Sequence, residues 1–510
     1  MLPSKTRLIV GSLLVVAFFC SACKPARKTA DDSNTMIIMN NGKIRHAAVA
    51  GQFYPAAAQE VNAELKAFFS KFAKVPQRND IQAVVVPHAG WVFSGEVAAS
   101  AFARINPAKR YKRIFLIGPS HQVYLDSISV ASGYGFYETP LGKIEIDTQV
   151  CNQLAESNPH ITFSERAHVR EHCLEVQLPF LQYWLKEMPP IVPIIIATDD
   201  IEKCIALKQT LEPYFNTDNL FVFSSDFSHY PSYADANEVD HLTGEAVESG
   251  NIQMLASVLE RLESKHVRNL STCACGAVGL YTLLSFTTNE PSFNIEHIMY
   301  RNSGDSEYGE KDRVVGYHSF IVYQNTDSAQ NFSLTHEEKC LLLDIAHNSI
   351  ESKLRGIPRA DFPLTPALKT KCGAFVTLNK NGRLRGCIGH FGEHYPLHET
   401  VFEMARAAAF EDYRFDPVTS SELDDISIEI SVLTPLRRIT DISEFKYGKH
   451  GIYIQKGGRG GTFLPQVAFD TDWTKEEFLG HCSRDKAGLG WDGWKDADLY
   501  IYDALIFAEE

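Results

Sequence analysis

The sequence predicts two folded domains in tandem, an α/β domain with a largely parallel sheet followed by an α+β domain. With 510 residues the chain is too long for one compact core, because a single domain typically holds roughly 100–200 residues. Short runs typical of buried strands alternate with helical stretches in the first half, whereas alternating strands and a hairpin signal mark the second. A polar stretch without periodicity separates the two halves near residue 330.

The composition is that of a folded, acidic protein. Hydrophobic residues make up 45% of the chain and charged residues 22%, which excludes collagen, coiled coil and wholesale disorder. The formal net charge is −14, so we do not expect a protein that follows a nucleic-acid backbone with a basic face. The 11 cysteines are too sparse for a disulfide scaffold.

Residues 1–23 have the pattern of an export signal. The apolar run Leu8–Ala22, preceded by two cations, is too short to span a hydrocarbon core of about 30 Å. Small residues before Cys23 resemble a bacterial lipobox, although Cys20 stands where leucine is usual. We therefore expect a lipid on Cys23, a tether over residues 24–43 and a location in the bacterial envelope facing the periplasm, on the outer membrane. Signal cleavage without a lipid is the alternative.

Four β-branched and aromatic runs in the first domain predict buried strands. They are Val84–Val86, Ile114–Ile117, Val192–Ile196 and Leu220–Phe223. Helical spacing predicts helices over residues 96–105 and 174–188. Strands that alternate with helices predict a largely parallel sheet flanked by helices.

Polar residues follow three of these strands, and in open α/β sheets ligands gather at the carboxyl ends of the strands. The sequence therefore predicts one crevice that holds His88, His121, Asp226 and His229. Neutral imidazole is the commonest metal ligand in proteins, so these residues indicate a transition-metal site. The alternative is that each histidine has a structural role only.

Residues 44–323 resemble the Memo-type proteins, which are structurally akin to the LigB-like class III extradiol dioxygenases. The resemblance rests on the motifs AGQFYP at 50–55, PHAG at 87–90, GPSH at 118–121, EHCLE at 171–175, SDFSH at 225–229 and CG at 275–276. It implies that His88, His121 and Cys275 bind a metal, iron or copper rather than zinc. It also implies that Asp226, His229 and His172 line the same pocket as candidate catalytic residues.

A thiolate from Cys275 in place of a carboxylate ligand softens the predicted site and favours copper(I) or iron over magnesium or calcium. It also leaves two classes of function open. One is a metal-dependent oxidoreductase related to the dioxygenases, and the other is a non-catalytic metal-handling or interaction protein. Cys273, two residues earlier, could compete as a ligand or form a redox pair with Cys275.

A further alternative comes from the segment H-x-x-E-H at residues 168–172, the inverted signature of zinc peptidases. On a helix, His168 and His172 would lie on one face at i and i+4, as zinc binding requires. This pattern predicts a zinc-dependent hydrolase.

In the second domain, an Asn-Gly pair at 381–382 between two strand-like runs predicts a β-hairpin. A capping box at Thr335 predicts a helix that ends near Gly356, a second helix is expected over 399–410, and alternation over 426–432 predicts a strand with one solvated face. Together these elements predict an α+β domain.

Residues 336–510 resemble the AMMECR-type domain. The motifs that carry this resemblance are LRGCIG at 384–389, GGRGGTFLPQV at 457–467 and KAGL at 486–489. Glycines beside Cys387 could expose its sulfur, and Arg385 could favour the thiolate, so Cys387 is a candidate catalytic residue. A buried cysteine in a turn is the alternative. The glycine-rich segment lacks the Lys-Ser/Thr of a P-loop, so nucleotide binding is not expected.

The two resemblances together imply a pathway linked to radical SAM proteins and a small-molecule or peptide substrate. With the linker taken as residues 324–335, a short connection keeps the two domains at high mutual concentration. We therefore expect the domains to act on a common ligand or product.

Overall fold

The computed structural model of the chain describes residues 42–290, 292–324, 333–392, 395–469, 471 and 473–509, all in one compact unit. The predicted signal peptide with Cys23, nearly all of the tether, and residues 325–332 of the linker lie outside these described residues. Lipidation and envelope location therefore stay predictions. Within the described ranges, no helix is both long and apolar enough to cross a membrane.

Strands and helices alternate up to Gln324, as the sequence predicts. The strands are β1 Ile44–Arg45, β2 Ile81–Val86, β3 Arg113–Pro119, β4 Ser127–Val130, β5 Phe136–Thr139, β6 Gly142–Glu145, β7 Ile161–Thr162, β8 Ile191–Ala197, β9 Asn219–Ser224, β10 Phe293–Asn302 and β11 Gly316–Gln324. The helices are α1 Ala58–Ser70, α2 Trp91–Phe102, α3 Thr148–Ser157, α4 Glu165–His168, α5 Leu178–Trp184, α6 Ile201–Leu211, α7 Tyr233–Glu248, α8 Ile252–Ser264 and α9 Ala277–Thr287.

Eight of these strands form one sheet in the order β10-β11-β2-β9-β3-β8-β4-β7. The four central strands β2, β9, β3 and β8 are parallel neighbours. β2, β8 and β9 are buried along their full length, as expected for parallel strands covered on both faces. The four predicted strands are all confirmed. The parallel prediction holds for the centre only, because β11, β10 and β4 join by antiparallel pairing.

Two predicted helices have different bounds in the structure. Helix α2 begins at Trp91, five residues earlier than predicted, because packing rather than helical propensity fixes its first turn. The indole N–H of Trp91 donates to the carbonyl of Val176. Glycine at position 95 leaves room for the ring of Phe68, because a Cβ atom added to Gly95 would lie only 2.7 Å from that ring. The helix predicted over 174–188 is shorter, with a 3₁₀ turn at Glu175–Gln177 before α5.

The chain after residue 333 contains three α-helices, one π-helical turn, several short 3₁₀ turns and eight strands among its described residues. The helices are α10 His336–Arg355, α11 Leu397–Phe410, α12 Lys475–His481 and a π-helical turn at Cys482–Lys486. The strands are β12 Ala374–Lys380, β13 Arg383–His390, β14 Ile426–Leu433, β15 Arg437–Ile439, β16 Gly451–Lys456, β17 Arg459–Phe463, β18 Asp498–Tyr502 and β19 Ala504–Ala508.

These strands form two antiparallel sheets, in the orders β13-β12-β14-β19 and β15-β18-β16-β17. The predicted hairpin joins β12 to β13, and both turn residues have a positive φ, 52° for Asn381 and 72° for Gly382, as a type I′ turn requires. Thr335 caps α10 in the predicted capping box, and Gly356 ends the helix with φ 64°. The α+β prediction is confirmed by this arrangement.

The second domain packs directly on the first through the edge strand β10. The ammonium group of Lys449 donates to the carbonyl of Phe293 at 2.9 Å, and that of Lys446 donates to the carbonyl of Ile295 at 2.8 Å. Two lysines thus satisfy alternate carbonyls on an edge that would otherwise be open to pairing. Between them, Gly448 has φ 79° and lets the turn approach α8, since an added Cβ would lie 3.0 Å from Met254.

One buried ion pair fixes the first residues of the described chain. Arg45 and Glu175 are both almost inaccessible, at 1% and 0% exposure, and their side chains are in direct contact. The Glu175 carboxylate also accepts hydrogen bonds from the backbone N–H groups of Ala48 and Val49 and from the hydroxyl of Tyr54. These bonds supply the partners that a buried carboxylate needs.

The guanidinium of Arg45 also reaches the loop after α4. It donates to the carbonyl of His168 at 3.1 Å and to that of Glu171 at 2.6 Å. Arg45 therefore joins β1 to the segment 168–175.

We expect Glu175→Gln to lower the free energy of unfolding by about 3–5 kcal/mol, because it leaves the buried Arg45 charge without its counterion. Chemical unfolding of the full chain measures this. The control is Asp218→Asn, which breaks the exposed pair with Lys112 at 67% and 55% side-chain exposure and should leave the unfolding midpoint unchanged. Equal effects of the two substitutions would contradict the prediction.

Candidate metal centre

The carboxyl ends of β2 and β3 place two predicted ligands side by side. His88 and His121 each follow their strand by two residues, and their ring centroids are 5.0 Å apart. His172, from the loop after α4, lies 4.5 Å from His121 and 5.3 Å from His88 by the same measure. Candidate ligand atoms of the three residues all lie within 4.8 Å of one another. The structure thus assembles three imidazoles around one point.

Cys275 lies beside this triplet, with its sulfur 3.1 Å from Nε2 of His88. Its amide donates to the carbonyl of Asp226, and Gly276 allows the chain to pass Ser225, because an added Cβ would lie 2.6 Å from that side chain. Among the described residues, the groups of ligands within 4.8 Å contain His172 but not Cys275. The geometry therefore adds His172 to the predicted ligands, and ligation by Cys275 stays a prediction.

Glu171 orients the ring of His121. Its carboxylate accepts hydrogen bonds from the backbone N–H of His121 at 2.7 Å, from the backbone N–H of His172 at 3.0 Å and from Nδ1 of His121 at 2.9 Å. Burial would raise the pKa of Glu171, but the bonds from His121 hold that pKa at about 2, so the carboxylate is ionised. A carboxylate on Nδ1 leaves Nε2 of His121 for a metal.

The pKa values of His88 and His172 suit metal binding. Burial, with His121 nearby, keeps the pKa of His88 well below its usual value. Burial and the two neighbouring rings lower the pKa of His172 to about 4. Burial, with the nearby Asp226, raises the pKa of Cys275, so that thiol keeps its proton until a metal displaces it.

A second thiol, that of Cys173, lies close to His121 and Glu171. Cys173 is fully buried, donates to the carbonyl of Pro119 at 3.2 Å, and forms with His121 and Glu171 another group of potential ligands. Burial raises its pKa well above the ordinary value. Gly118 is required here, because an added Cβ would lie 2.6 Å from the Cys173 sulfur.

The predicted catalytic residues Asp226 and His229 follow β9 at the same edge of the sheet. Asp226 is buried, accepts from the backbone N–H of His88 at 2.7 Å, and has its other oxygen 3.9 Å from Nε2 of that ring. Burial raises the pKa of Asp226. Nδ1 of His229 bonds to the carbonyl of Phe227 at 2.8 Å. Asp226 thus contacts His88 directly, while the catalytic roles of Asp226 and His229 stay predictions.

Asp240 holds the loop that follows β9 through hydrogen bonds to Ser228. Its buried carboxyl accepts from the backbone N–H and hydroxyl of Ser228 at 2.9 and 2.8 Å, and from the hydroxyl of Tyr300 at 2.9 Å. Gly316 leaves room for it, since an added Cβ would lie 2.0 Å from the carboxyl. Burial raises the pKa of Asp240 to about 6.

The zinc-hydrolase alternative is wrong in its geometry. Helix α4 ends at His168, so His168 and His172 do not share a helical face. His168 is fully buried, with its two ring nitrogens 3.1 Å from the Ser129 hydroxyl and 3.0 Å from the Tyr137 hydroxyl. No group of potential metal ligands among the described residues includes it.

Two open cavities reach the triplet. One, of about 750 Å³, is lined by His121 and Cys275, and the other, of about 900 Å³, is lined by His172, with Gln122 in both walls. All residues that line them belong to the first domain. Cys273 faces neither of them. It is buried in the wall of another cavity, so the structure does not support competition with Cys275.

Cys387, the candidate catalytic residue of the second domain, lies on β13 and lines neither of these two cavities. Its sulfur accepts from the Thr377 hydroxyl at 3.3 Å, and burial raises its pKa. The expected activation by Arg385 is wrong, because that guanidinium donates twice to the Glu422 carboxylate, at 3.2 Å each time. The catalytic role of Cys387 stays a prediction.

Two residues that shape the centre are not predicted from the sequence. Glu171 lies inside the quoted EHCLE motif, and an acidic residue directly before a candidate ligand is the signal that could have identified it. Arg45 has no such signal, because a lone cation before an apolar segment looks like any exposed residue.

Residues 45–321 match the family described as Memo-like protein, and residues 343–507 match the family described as AMMECR1. A MEMO1 family protein of Methanosarcina barkeri is 35% identical over 282 residues, which cover 55% of this chain and 100% of that protein. Another, from Sulfurisphaera tokodaii, is 31% identical over 288 residues, or 54% of this chain and 97% of the relative. A solved structure of an uncharacterized protein from Pyrococcus horikoshii is 38% identical, covers 33% of this chain and 90% of its own, and has a TM-score of 0.32.

The raised pKa of Asp240 predicts a pH-dependent stability. The folded value of about 6 lies above the unfolded value of about 3.9, so folding favours the protonated carboxyl. This contribution is complete below about pH 4 and is lost as the pH rises through 6. We expect the free energy of unfolding, relative to Asp240→Asn, to fall by up to about 3 kcal/mol between pH 4 and 7. A difference that stays constant over this range would contradict the assignment.

Proposed function

The chain belongs to the Memo-like protein family, and from that premise we propose that residues 44–323 bind one redox-active transition metal, iron or copper. The observation that supports this most directly is the convergence of His88, His121 and His172, with Cys275 in contact with His88. The metal would be held by imidazole nitrogens, with the Cys275 thiolate as a further ligand.

The chemistry of the donors supports this class of metal. Neutral imidazole and thiolate suit copper, iron and zinc, whereas magnesium and calcium prefer oxygen ligands. The carboxylate that bonds to His121, that of Glu171, is occupied by backbone and imidazole N–H groups, and the Asp226 carboxyl accepts from the backbone N–H of His88. We propose iron or copper rather than zinc because the motif pattern resembles redox proteins related to the LigB-like dioxygenases, a kinship of fold that is part of this proposal.

We propose a metal-dependent oxidoreductase as the activity. Two cavities open the centre to a small-molecule or peptide substrate, and the Asp226 carboxyl lies near enough to move a proton at the centre. A link to a pathway with radical SAM proteins rests on the family resemblance alone.

Metal handling without turnover is the second candidate, favoured by the soft Cys275 donor beside the rings. Oxygen uptake by the metal-loaded chain separates the two candidates. Uptake that depends on Asp226 supports the oxidoreductase, and stable metal binding without uptake supports metal handling.

We expect His121→Ala to abolish stoichiometric metal binding, because it removes both a donor and the ring that Glu171 orients. Elemental analysis of the purified full chain measures this. The control is His241→Ala, whose side chain is 71% exposed on α7 and belongs to no group of potential ligands. Full metal content in His121→Ala would overturn the site.

The third ligand is identified in the same experiment. His172→Ala and Cys275→Ser should each weaken metal binding, but only Cys275→Ser should remove a sulfur-to-metal charge-transfer band. If Cys275→Ser leaves that spectrum unchanged, the thiolate is not a ligand.

We propose that the two domains work as one docked unit. After cleavage at a protease site placed within residues 325–332, the halves should stay associated on a sizing column, because Lys446 and Lys449 cap the β10 edge. The double variant Lys446→Met and Lys449→Met should separate after the same cut. Separation of the unsubstituted halves would contradict docking, and equal metal affinity and Cys387 reactivity before and after separation would refute functional coupling.

A further inference from the structure

We propose that Ser224 is a positioning residue of the metal centre, which holds His88 as the tautomer with its proton on Nδ1 and thereby leaves the Nε2 lone pair for the metal. The inference rests on the proposed metal binding and assigns a role to a residue outside the ligand cluster.

Ser224 is the last residue of β9 and is 3% exposed. Its hydroxyl oxygen has three polar neighbours. They are the carbonyl of Cys173 at 2.7 Å, Nε2 of Gln177 at 3.0 Å and Nδ1 of His88 at 3.0 Å. A hydroxyl has one proton to donate and two lone pairs that accept, so this set can be satisfied in full.

Two backbone carbonyls fix the direction of every bond in this group, because a carbonyl can only accept. The single Ser224 proton must go to the Cys173 carbonyl. The amide of Gln177 lies 2.8 Å from the carbonyl of Pro87, so its NH₂ group is at this end and its second proton goes to Ser224. The Ser224 oxygen is left as an acceptor toward His88, and Nδ1 of that ring must therefore be the donor.

A neutral imidazole has one proton, so a proton on Nδ1 leaves the lone pair on Nε2. This nitrogen faces Cys275, whose sulfur is 3.1 Å away. His121 is held the same way by the Glu171 carboxylate on its Nδ1. The two acceptors differ in charge, since a neutral hydroxyl binds Nδ1 of His88 and an ionised carboxylate binds Nδ1 of His121.

The test uses Ser224→Ala in the full chain. Loss of an outer partner of a ligating histidine typically weakens metal binding about 10–100-fold, and we expect a loss of that size for copper or iron. We also expect ¹⁵N NMR of histidine-labelled, metal-free protein to show the His88 proton on Nδ1, and to show it redistributed toward Nε2 in Ser224→Ala. The His88 signal is assigned by its loss in His88→Gln.

The chain offers a matched control in Ser129→Ala. Ser129 is also a buried serine of the same sheet, with its hydroxyl 3.1 Å from Nε2 of the buried His168, which is outside the cluster. This substitution removes an equivalent contact and should leave the metal affinity and the His88 signal unchanged.

Three results would overturn the proposal. They are a His88 proton on Nε2 in the unsubstituted protein, an unchanged affinity in Ser224→Ala, and a weaker affinity without a change of tautomer. If Ser224→Ala fails to fold, the spectrum of the unsubstituted protein still decides. A full metal content in His121→Ala would instead contradict the proposed metal binding. The NMR measurement would still decide the tautomer of His88 independently.

Discussion

The buried pair of Arg45 and Glu175 is the constraint on which the metal centre depends. Two charges without access to water must be satisfied completely, and each of them recruits a different part of the chain. Glu175 binds the segment that follows β1, while Arg45 binds the carbonyls of His168 and Glu171. The loop that carries His172 and the orienting carboxylate is therefore fixed to the N-terminal strand by charge rather than by apolar packing alone.

The carboxyl groups around the centre act differently because their hydrogen-bond donors differ. Glu171 receives backbone and imidazole N–H groups and stays ionised, with its pKa at about 2. Asp240 receives an amide and two hydroxyl groups, and burial prevails, with a pKa of about 6. The ionised carboxylate of Glu171 thus orients His121 beside the cavity, whereas the more readily protonated carboxyl of Asp240 holds the loop that follows β9. The charge nearest the rings is negative, which favours a bound cation.

Much of the fold and part of the site could be predicted from the sequence, because strand ends, caps and hairpin turns are local signals. The four central strands, the Asn381-Gly382 turn and the meeting of His88 with His121 follow from such signals. The role of His172 beside them depends on how a loop folds back. The engagement of Arg385 by Glu422, 37 positions later, is a long-range contact with no local pattern. His168 is the opposite case. A local motif predicts it as a zinc ligand, but its side chain is buried in the core away from the other candidate ligands.

The docking of the second domain limits how the two halves can cooperate. Among the described residues, the walls of both cavities at the rings come from the first domain only. This arrangement therefore does not favour a ligand that contacts both the rings and Cys387. A continuous series of contacts does lead from the docked turn to the loop of Asp226. It runs through Lys446, Glu248, His297, His318, Asp240 and Ser228. Docking of the second domain would then influence the position of the loop that carries Asp226. Through the hydrogen bond from the backbone N–H of His88 to Asp226, it would also influence His88.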